Sequence, residues 1–307
     1  MRRKYGAPVY RIGVDAGFSC PNRGRDRLSP GCSYCDSFGS LSTYQRAEGV
    51  GPETGEMDAR LQSIDTQIRR GLLFLKRRYN AEFFILYFQA FSNTFDTIPN
   101  LRKIYDFGLS RFPFVEFVVS TRPDCIGPDS ADLLAYYAGE KRDIWVELGL
   151  QSASDTTLKR IHRGHDTACF ERAFRLLRER GIKIAVHLIF GLPGEGLREI
   201  ENTVRYVRTL APEGLKIHNL HVPRDTALAE EYRRGELSVP SLSRHLEYTI
   251  RALELMPEET VIMRLTCDTP EGRLLAPRDG WTKGYFYSRI REEMKKRETR
   301  QGRLSGQ

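Results

Sequence analysis

The sequence has no long apolar run and few cysteines. No stretch comes near the roughly 20 consecutive apolar residues that a membrane-spanning helix requires, and the basic segment 1–11 lacks the apolar core of a secretory signal. An internal repeat and a low-complexity segment are also missing. These absences argue against a membrane partner and against export, so we expect a cytoplasmic protein.

Six cysteines occur in the sequence, and three of them, Cys20, Cys32 and Cys35, lie in one short segment. In a cytoplasmic protein such crowding favours metal binding or catalysis over disulfide formation. The others stand singly in ordinary segments, where we expect small buried residues rather than ligands. These are Cys125, Cys169 and Cys267.

Short apolar segments alternate with amphipathic ones along the whole chain. Apolar residues make up 40% of the sequence, which is enough for a sizeable core. The alternation predicts a parallel sheet covered by helices, and we expect an α/β fold of the incomplete (βα)6-type TIM barrel class. The predicted strands are 9–14, 83–89, 114–120, 143–152, 182–191, 214–222 and 261–266. The predicted helices are 56–79, 96–110, a segment from Asp129, 167–181, 195–210 and 241–256.

The net charge of +8 is concentrated at the two ends of the chain. Residues 2–27 hold seven basic and two acidic side chains, and residues 283–303 hold eight and three. Such ends are compatible with a polyanionic partner, although a basic helix can also serve solubility alone. We predict a core domain at 1–281 that includes a short basic N-terminal extension, and a basic helical tail at 282–307.

The cysteine segment follows the first predicted strand, so it lies in a loop at a strand end. Eleven residues separate Cys20 from Cys32, and two separate Cys32 from Cys35. Three thiolates can hold three irons of a [4Fe–4S] cubane and leave the fourth iron open. The alternatives are zinc, which would need a fourth ligand such as Asp36, and a closed structural cluster, which would need a fourth cysteine. The spacing alone leaves these alternatives open.

The segment GFSCPNR…GCSYC resembles the radical S-adenosylmethionine (SAM) proteins of the elongator-catalytic-subunit-like branch, and more narrowly the bacterial YhcC/YtqA family. The resemblance implies a radical SAM core in which Cys20, Cys32 and Cys35, within loop 20–35, hold a [4Fe–4S] cluster that binds SAM. It extends over nearly the whole chain. Further matching segments are 87–95, 147–166, 187–196, 216–229 and 274–281.

Strand alternation places Glu147 and Gln151 on one face of the strand 143–152. The resemblance implies that both contact SAM, while the alternative is a buried polar network between strands. Gln89 stands where many relatives have an acidic residue that receives the SAM ammonium group. Tyr34 is expected either against the adenine or packed within its own loop.

Two further segments are candidates for the cofactor site. The resemblance places the backbone of Phe190 to Leu192 near the adenine, and Arg163 can bind a carboxylate or a phosphate bidentately. A lone strand histidine such as His187 is more often a core residue than a catalytic one. His218 and His221 are candidates for the substrate side.

The resemblance implies that one electron, from a flavodoxin- or ferredoxin-type donor, cleaves SAM to methionine and a 5′-deoxyadenosyl radical, which abstracts hydrogen from the substrate. Wobble-uridine modification of tRNA is the expected reaction. The alternatives are a radical SAM enzyme that acts on a small metabolite or a protein, and a zinc- or cluster-stabilised RNA-binding module without catalysis.

Overall fold

Strands and helices alternate along the chain in the predicted order. The computed structural model describes residues 5–24, 27–36, 56–139, 142–270, 272–278 and 280–306. The strands are β1 (Val9–Val14), β2 (Phe83–Phe88), β3 (Glu116–Thr121), β4 (Asp143–Gln151), β5 (Lys183–Phe190), β6 (Gly214–Asn219), β7 (Val222–Pro223), β8 (Val261–Arg264) and β9 (Leu274–Ala276). The helices are α1 (Met57–Tyr79), α2 (Ile98–Ser110), α3 (Pro128–Tyr136), α4 (Asp155–Arg160), α5 (Thr167–Glu179), α6 (Leu197–Leu210), α7 (Ala227–Arg233), α8 (Leu242–Leu255) and α9 (Lys283–Lys296).

Seven strands form one sheet in the order β1-β2-β3-β4-β5-β6-β8. The pairs β1–β2, β2–β3, β3–β4, β5–β6 and β6–β8 are parallel. A parallel pair needs a crossover connection between its strands, which explains the long helices in most of these connections. The predicted α/β class with a parallel sheet is therefore confirmed.

A second, two-stranded sheet pairs β7 with β9 in antiparallel orientation. The sequence predicts one strand over 214–222, but the structure ends β6 at Asn219 and starts β7 at Val222. Strands of two or three residues are too short to carry a detectable alternation. The short helices α4 and α7 were missed for the same reason.

The chain divides into two compact units. The first unit comprises Met1–Ser29, Phe38–Leu148 and Arg172–Ile184. The second unit comprises Pro30–Ser37, Gly149–Glu171 and Ala185–Gln307.

An aromatic core holds the first unit together. Phe88 of β2 is fully buried, and its ring centroid lies 5.5 Å from that of Tyr105 on α2 and 5.8 Å from that of Phe117 on β3. Helix α2 approaches the strand closely because Gly108 has no side chain, and a Cβ there would lie 3.1 Å from Leu86. A larger residue at 108 would therefore push α2 away from β2.

The core of the second unit includes a buried apolar cluster. This apolar cluster consists of Leu158, Ile161, Leu192, Leu220, Val222, Leu228, Ala229, Leu237, Leu275 and Ala276. The end of the chain is attached to α8 in the same unit, since the amides of Gly302 and Leu304 donate to the carbonyls of Leu253 and Glu254 at 3.1 and 2.8 Å. Helix α9 lies within the predicted tail 282–307, and the proposed division into a core domain and a tail stays a prediction. Among the helices that the structure describes, none has both the length and the apolar character needed to cross a membrane.

Candidate cofactor site

Cys20 lies six residues beyond the end of β1, in a tight turn of the first unit. Its carbonyl accepts a hydrogen bond from the amide of Arg23 at 3.0 Å, and it forms an isolated antiparallel bridge with Gly24. Gly24 has a φ of 70°, which a residue with a side chain rarely adopts. The turn buries Cys20 to 8% exposure.

Cys32 and Cys35 belong to a second turn, in the second unit. The amide of Cys35 donates to the carbonyl of Cys32 at 2.9 Å. Between them, the amide of Ser33 donates to the carbonyl of Ile161, and its carbonyl accepts from the amide of Leu228, both at 3.0 Å. The backbone of this turn is therefore fixed to the ends of α4 and α7. All six cysteines of the chain are thiols rather than disulfides.

Arg163 lies against the sulfur of Cys32. Its Nη1 is 3.7 Å from the Sγ of Cys32, and its Nη2 donates to the carbonyl of Gly149 at 2.8 Å. The position of Arg163 follows from the end of α4, where His162 adopts a φ of 51° and the amide of Arg163 donates to the carbonyl of Leu158. A buried guanidinium beside a thiol favours the thiolate form, which is the form that binds metals.

The donor chemistry of this segment suits an iron–sulfur cluster, because soft thiolates are the ligands of such clusters. Asp36, the residue that a zinc site could use, forms an ion pair with Arg273. Among the described residues, no group of three or more His, Cys, Asp or Glu side chains is arranged to hold a metal ion. The ligand set of Cys20, Cys32 and Cys35 therefore stays a prediction.

Two of the single cysteines, Cys125 and Cys267, are half-buried and carry thiols of raised pKa. Burial raises the pKa of Cys125 to about 12 and that of Cys267 to about 11. The Sγ of Cys267 also lies 3.4 Å from the side-chain oxygen of Asn219. Thiols with such pKa values remain protonated at neutral pH and make poor ligands.

Glu147 is the centre of a polar network in the first unit. It is fully buried and accepts a hydrogen bond from Nη1 of Arg11 at 2.5 Å and another from the hydroxyl of Tyr87. Burial disfavours the charge of Arg11, but the interactions with Glu147, Tyr87 and Glu116 together outweigh this effect, and the pKa of Arg11 rises above its ordinary value. The network joins β1, β2 and β4. This agrees with the alternative in which Glu147 belongs to a buried polar network between strands. The contact with SAM stays a prediction.

Gln151 ends β4 with a φ of 76°, in the left-handed region that favours glycine. A glutamine held there is a strained position of the kind found at functional sites. The side chains of Gln151 and Gln89 are both half-buried. In the first unit, the backbone N–H of Gln89 donates to the carbonyl of Val14 at 3.1 Å. Each of the two residues can offer a polar side chain to a ligand at a strand end.

The turn that follows β5 borders a pocket of about 310 Å³ in the second unit. Gly191, with a φ of 86°, packs so closely against Pro240 that a Cβ would overlap it. Glu195 accepts a hydrogen bond from the hydroxyl of Ser152 at 2.5 Å, and burial raises the pKa of Glu195 above its ordinary value. The pocket is lined by Gly191 to Gly196, Glu236, Leu237, Ser238, Pro240, Arg244 and Tyr248.

The three predicted adenine contacts lie in apolar surroundings in the second unit. Leu192 belongs to the apolar cluster, and Tyr34 packs against this cluster rather than within its own loop. Phe190 is 1% exposed, and its carbonyl accepts from the amide of Leu220 at 2.9 Å. Direct contact between these residues and adenine stays a prediction.

Two basic residues that no sequence pattern indicated, Lys216 and Arg264, lie beside the histidines of β5 and β6. His187 pairs with Lys216 in register, and Lys216 pairs with Arg264. The ring centroids of His187 and His218 are 5.6 Å apart. Strand alternation could have indicated Lys216, but the register of β8 cannot be deduced from the sequence. His221, the other predicted substrate-side residue, is half-buried, and its Nδ1 lies 2.7 Å from the hydroxyl oxygen of Thr269.

Two family models match the chain, the Radical SAM superfamily over residues 20–207 and the Radical SAM C-terminal domain over residues 212–296. The protein YhcC of Escherichia coli is 35% identical over 90% of this chain and 84% of its own length. YtqA of Bacillus subtilis, an uncharacterised protein, is 30% identical over 99% of this chain and 90% of its own length.

Similarity to elongator proteins covers less of the partner sequences. Elongator complex protein 3 of Mus musculus is 32% identical over 51% of this chain and 28% of its own length. The solved structure of the archaeal Elp3 of Methanocaldococcus infernus superposes with a TM-score of 0.70 over 95% of this chain and 64% of that chain, at 18% identity. This likeness supports the predicted incomplete-barrel fold.

Proposed function

This chain belongs to the radical SAM superfamily, within it to the family of YhcC and YtqA, and we propose that Cys20, Cys32 and Cys35 hold its [4Fe–4S] cluster. Enzymes of this superfamily use such a cluster together with SAM. The observation that carries the proposal is the position of the three cysteines at the start of the family match, which begins at residue 20. Nη1 of Arg163, a residue outside this segment, lies 3.7 Å from the sulfur of Cys32. Three cysteine ligands leave one iron for SAM.

When bound, the cluster would supply the single electron, received from a flavodoxin- or ferredoxin-type donor, that reductive cleavage of SAM requires. The protein binds and orients the cluster and SAM. Arg163 holds the Cys32 thiolate through its guanidinium, while Glu147, Gln151 and Gln89 offer polar contacts to SAM. The low-polarity surroundings of Tyr34, Phe190 and Leu192 exclude water from the adenosyl group.

Replacement of the cysteines tests the ligand set. Anaerobic reconstitution should give about four irons per chain, the stoichiometry of a cubane. Cys20→Ala, Cys32→Ala and Cys35→Ala should each abolish formation of 5′-deoxyadenosine, whereas Cys125→Ala and Cys267→Ala should not. Stoichiometric zinc without iron in an anaerobic preparation would contradict the proposal.

Replacement of Glu147 and Gln151 tests the SAM contacts. Loss of a hydrogen bond to a charged or polar ligand group should weaken SAM binding by about 1–3 kcal/mol and leave the cluster spectrum unchanged. Tyr87→Phe is the matched control, since it removes a partner of Glu147 but no proposed SAM contact. Equal loss of SAM affinity in Glu147→Gln and Tyr87→Phe would assign Glu147 to the polar network alone.

We propose that the substrate is tRNA, modified at the wobble uridine. The elongator-like segments and the similarity to Elongator complex protein 3 support this substrate. The basic tail adds a surface for phosphates. Lys295 and Lys296 are exposed there, whereas Arg297 pairs with Glu247 and Arg300 with Glu258. We also expect the basic N-terminal residues to contact RNA. These residues, Arg2, Arg3 and Lys4, lie outside the part of the chain that the structure describes.

Anaerobic turnover with bulk tRNA, followed by nucleoside mass spectrometry, tests the substrate. A new modified uridine should accumulate together with 5′-deoxyadenosine. Charge reversal of Lys295 and Lys296 to Glu should weaken tRNA binding and flatten its dependence on salt, because each lost phosphate contact removes about one unit of slope. Arg77→Glu with Lys159→Glu changes the same number of exposed charges outside the tail and is the control. Cleavage of SAM without any modified nucleoside would favour a metabolite or protein substrate.

A further inference from the structure

The pocket of about 310 Å³ in the second unit lies between the turn that follows β5 and the start of α8. Gly191 in the turn and Pro240 before α8 are in close contact, and a Cβ at position 191 would lie 2.1 Å from the Cγ of Pro240. The two walls are therefore fixed relative to each other. Among the described residues of the wall, Leu192 is the only one that we place near SAM.

The pocket contains a tyrosine hydroxyl that has no partner in the described part of the chain. Tyr248 of α8 lines the pocket and is only 6% exposed. Its hydroxyl forms no hydrogen bond with any described residue, and protein atoms do not enclose it. The hydroxyl of a buried tyrosine usually has a partner, because an unpaired polar group costs free energy. This hydroxyl is therefore available to a ligand in the pocket.

A guanidinium lies beside this hydroxyl. Arg244 precedes Tyr248 by four residues on α8, so the two side chains share one face of the helix, and both line the pocket. Arg244 is exposed, and its guanidinium forms no ion pair or hydrogen bond with the residues that the structure describes. The same is true of the hydroxyl of Ser238, which lines the pocket from the segment before α8. The pocket therefore offers one charged donor and two neutral ones.

Two carboxylates also line the pocket, and both have partners within the protein. Glu195 accepts a hydrogen bond from Ser152 at 2.5 Å, and burial raises the pKa of Glu195, which favours its uncharged form. Glu236 forms an ion pair with Arg234 at 2.7 Å. Among the described residues, the positive charge of Arg244 therefore has no counter-charge in the wall of the pocket.

We propose that this pocket binds a phosphodiester group of the RNA substrate, an inference that rests on the proposed function. A phosphodiester carries one negative charge, which Arg244 balances, and its oxygens can accept from the guanidinium and from the hydroxyls of Tyr248 and Ser238. A phosphate monoester carries about 1.5 to 2 negative charges at neutral pH, which exceeds the charge of one guanidinium. A carboxylate is satisfied by the guanidinium alone and would leave Tyr248 without a partner. The contact would position the RNA without reading its sequence.

The probes are a uridine dinucleotide, which contains one phosphodiester, and its methylphosphonate analogue, in which the linkage carries no charge. Calorimetry at low salt, with the anaerobic enzyme loaded with cluster and SAM, measures both affinities. The dinucleotide should bind about tenfold more tightly than the analogue, which corresponds to about 1.4 kcal/mol. Arg244→Gln should abolish this preference, and Tyr248→Phe should reduce it severalfold. Arg175→Gln, which removes an exposed arginine of α5 outside the pocket, is the matched control and should retain the preference.

Equal affinities for the dinucleotide and its analogue in the unaltered enzyme would overturn the inference, as would an equal loss of preference in Arg244→Gln and Arg175→Gln. Tighter binding of uridine 5′-monophosphate than of the dinucleotide would also overturn it, in favour of a monoester. The affinity for SAM should be the same in Arg244→Gln and in the unaltered enzyme, and a loss would assign the pocket to SAM instead. Binding is measured without turnover, so a preserved preference without tRNA modification would keep the phosphodiester site and reject only the modification reaction.

Discussion

The polar network of β1–β4 and a basic face of β5, β6 and β8, formed by His187, Lys216, His218 and Arg264, are built by the same strand alternation but carry different side chains. In the first, Glu147 accepts from Arg11 and Tyr87, and Glu116 accepts from Tyr5 at 3.0 Å. In the second, the strands bring basic side chains together without an acidic one. The strands of the first region supply both members of an ion pair, whereas the strands of the second region supply only basic side chains.

The difference shows how a repeated βα unit acquires distinct roles. A compensated network fixes the strands that carry it, because each buried group has a partner. A face to which the strands contribute only basic side chains favours an oppositely charged neighbour. Function is thus placed on a repeated scaffold by the choice of side chains at equivalent strand positions.

The largest effect is expected on the free energy of unfolding when Glu147, the centre of the polar network, is replaced. Glu147→Ala leaves Arg11 without its carboxylate and should cost about 3–5 kcal/mol of unfolding free energy, the usual penalty for breaking a buried ion pair. Arg264→Gln should change stability by no more than about 0.5 kcal/mol, because Arg264 forms no ion pair with any residue that the structure describes. Urea unfolding of both variants measures the difference. Similar losses would show that the basic face is also structural.

The next effect concerns the buried His245 of the second unit. Burial lowers its pKa to about 4, while its ring nitrogen Nε2 lies 3.0 Å from the carbonyl of Leu265. In the unfolded chain His245 takes up a proton at an ordinary pKa of 6.5, whereas in the folded chain it does so only when the pH falls to about 4. Stability should therefore fall as the pH drops through this window, by up to about 3 kcal/mol.

Thermal unfolding across that pH range, in the unaltered protein and in His245→Gln, measures this contribution. The variant should show a flatter dependence on pH. His221, whose pKa burial also lowers to about 4, remains in both proteins and provides a common background. An unchanged pH dependence in the variant would exclude His245 as the source.

A smaller effect is expected at the end of β4. Gln151→Gly relieves the left-handed φ of 76° and should stabilise the protein by about 1 kcal/mol. If Gln151 binds SAM, the same variant should lose SAM affinity, so stability and affinity would change in opposite directions. Gln151→Ala, which keeps the backbone strain, should lose affinity without the gain in stability. Unchanged SAM binding in both variants would leave Gln151 with a backbone role alone.

The smallest effect concerns the reactivity of two cysteine thiols, Cys125 in the first unit and Cys267 in the second. Burial raises the pKa of Cys267 from 9.0 to about 11, so its thiolate fraction should be lower than that of an ordinary cysteine by about a hundredfold. Cys125 should be at least as unreactive. Alkylation followed by peptide mass spectrometry measures both rates in the folded protein. Labelling as fast as in the unfolded chain would show that these thiols are accessible.

Sequence patterns predicted the long elements because their periods are strong. The apolar segment 83–89 became β2, and the amphipathic segment 56–79 became α1 with a difference of one residue. The pair β7–β9 escaped prediction because its strands are too short for a period and their pairing joins residues far apart in the sequence, Val222 with Ala276.

The sequence by itself determined the donor chemistry and the repeating architecture. The spacing of Cys20, Cys32 and Cys35 and the alternation of apolar strands with amphipathic helices are local patterns, which need no knowledge of distant contacts. Only the tertiary structure placed Arg163 against Cys32, 131 residues away, and Arg264 beside Lys216. The first placement depends on how α4 ends and the second on a one-residue bulge in β8. Both are set by packing and register, which no local pattern encodes.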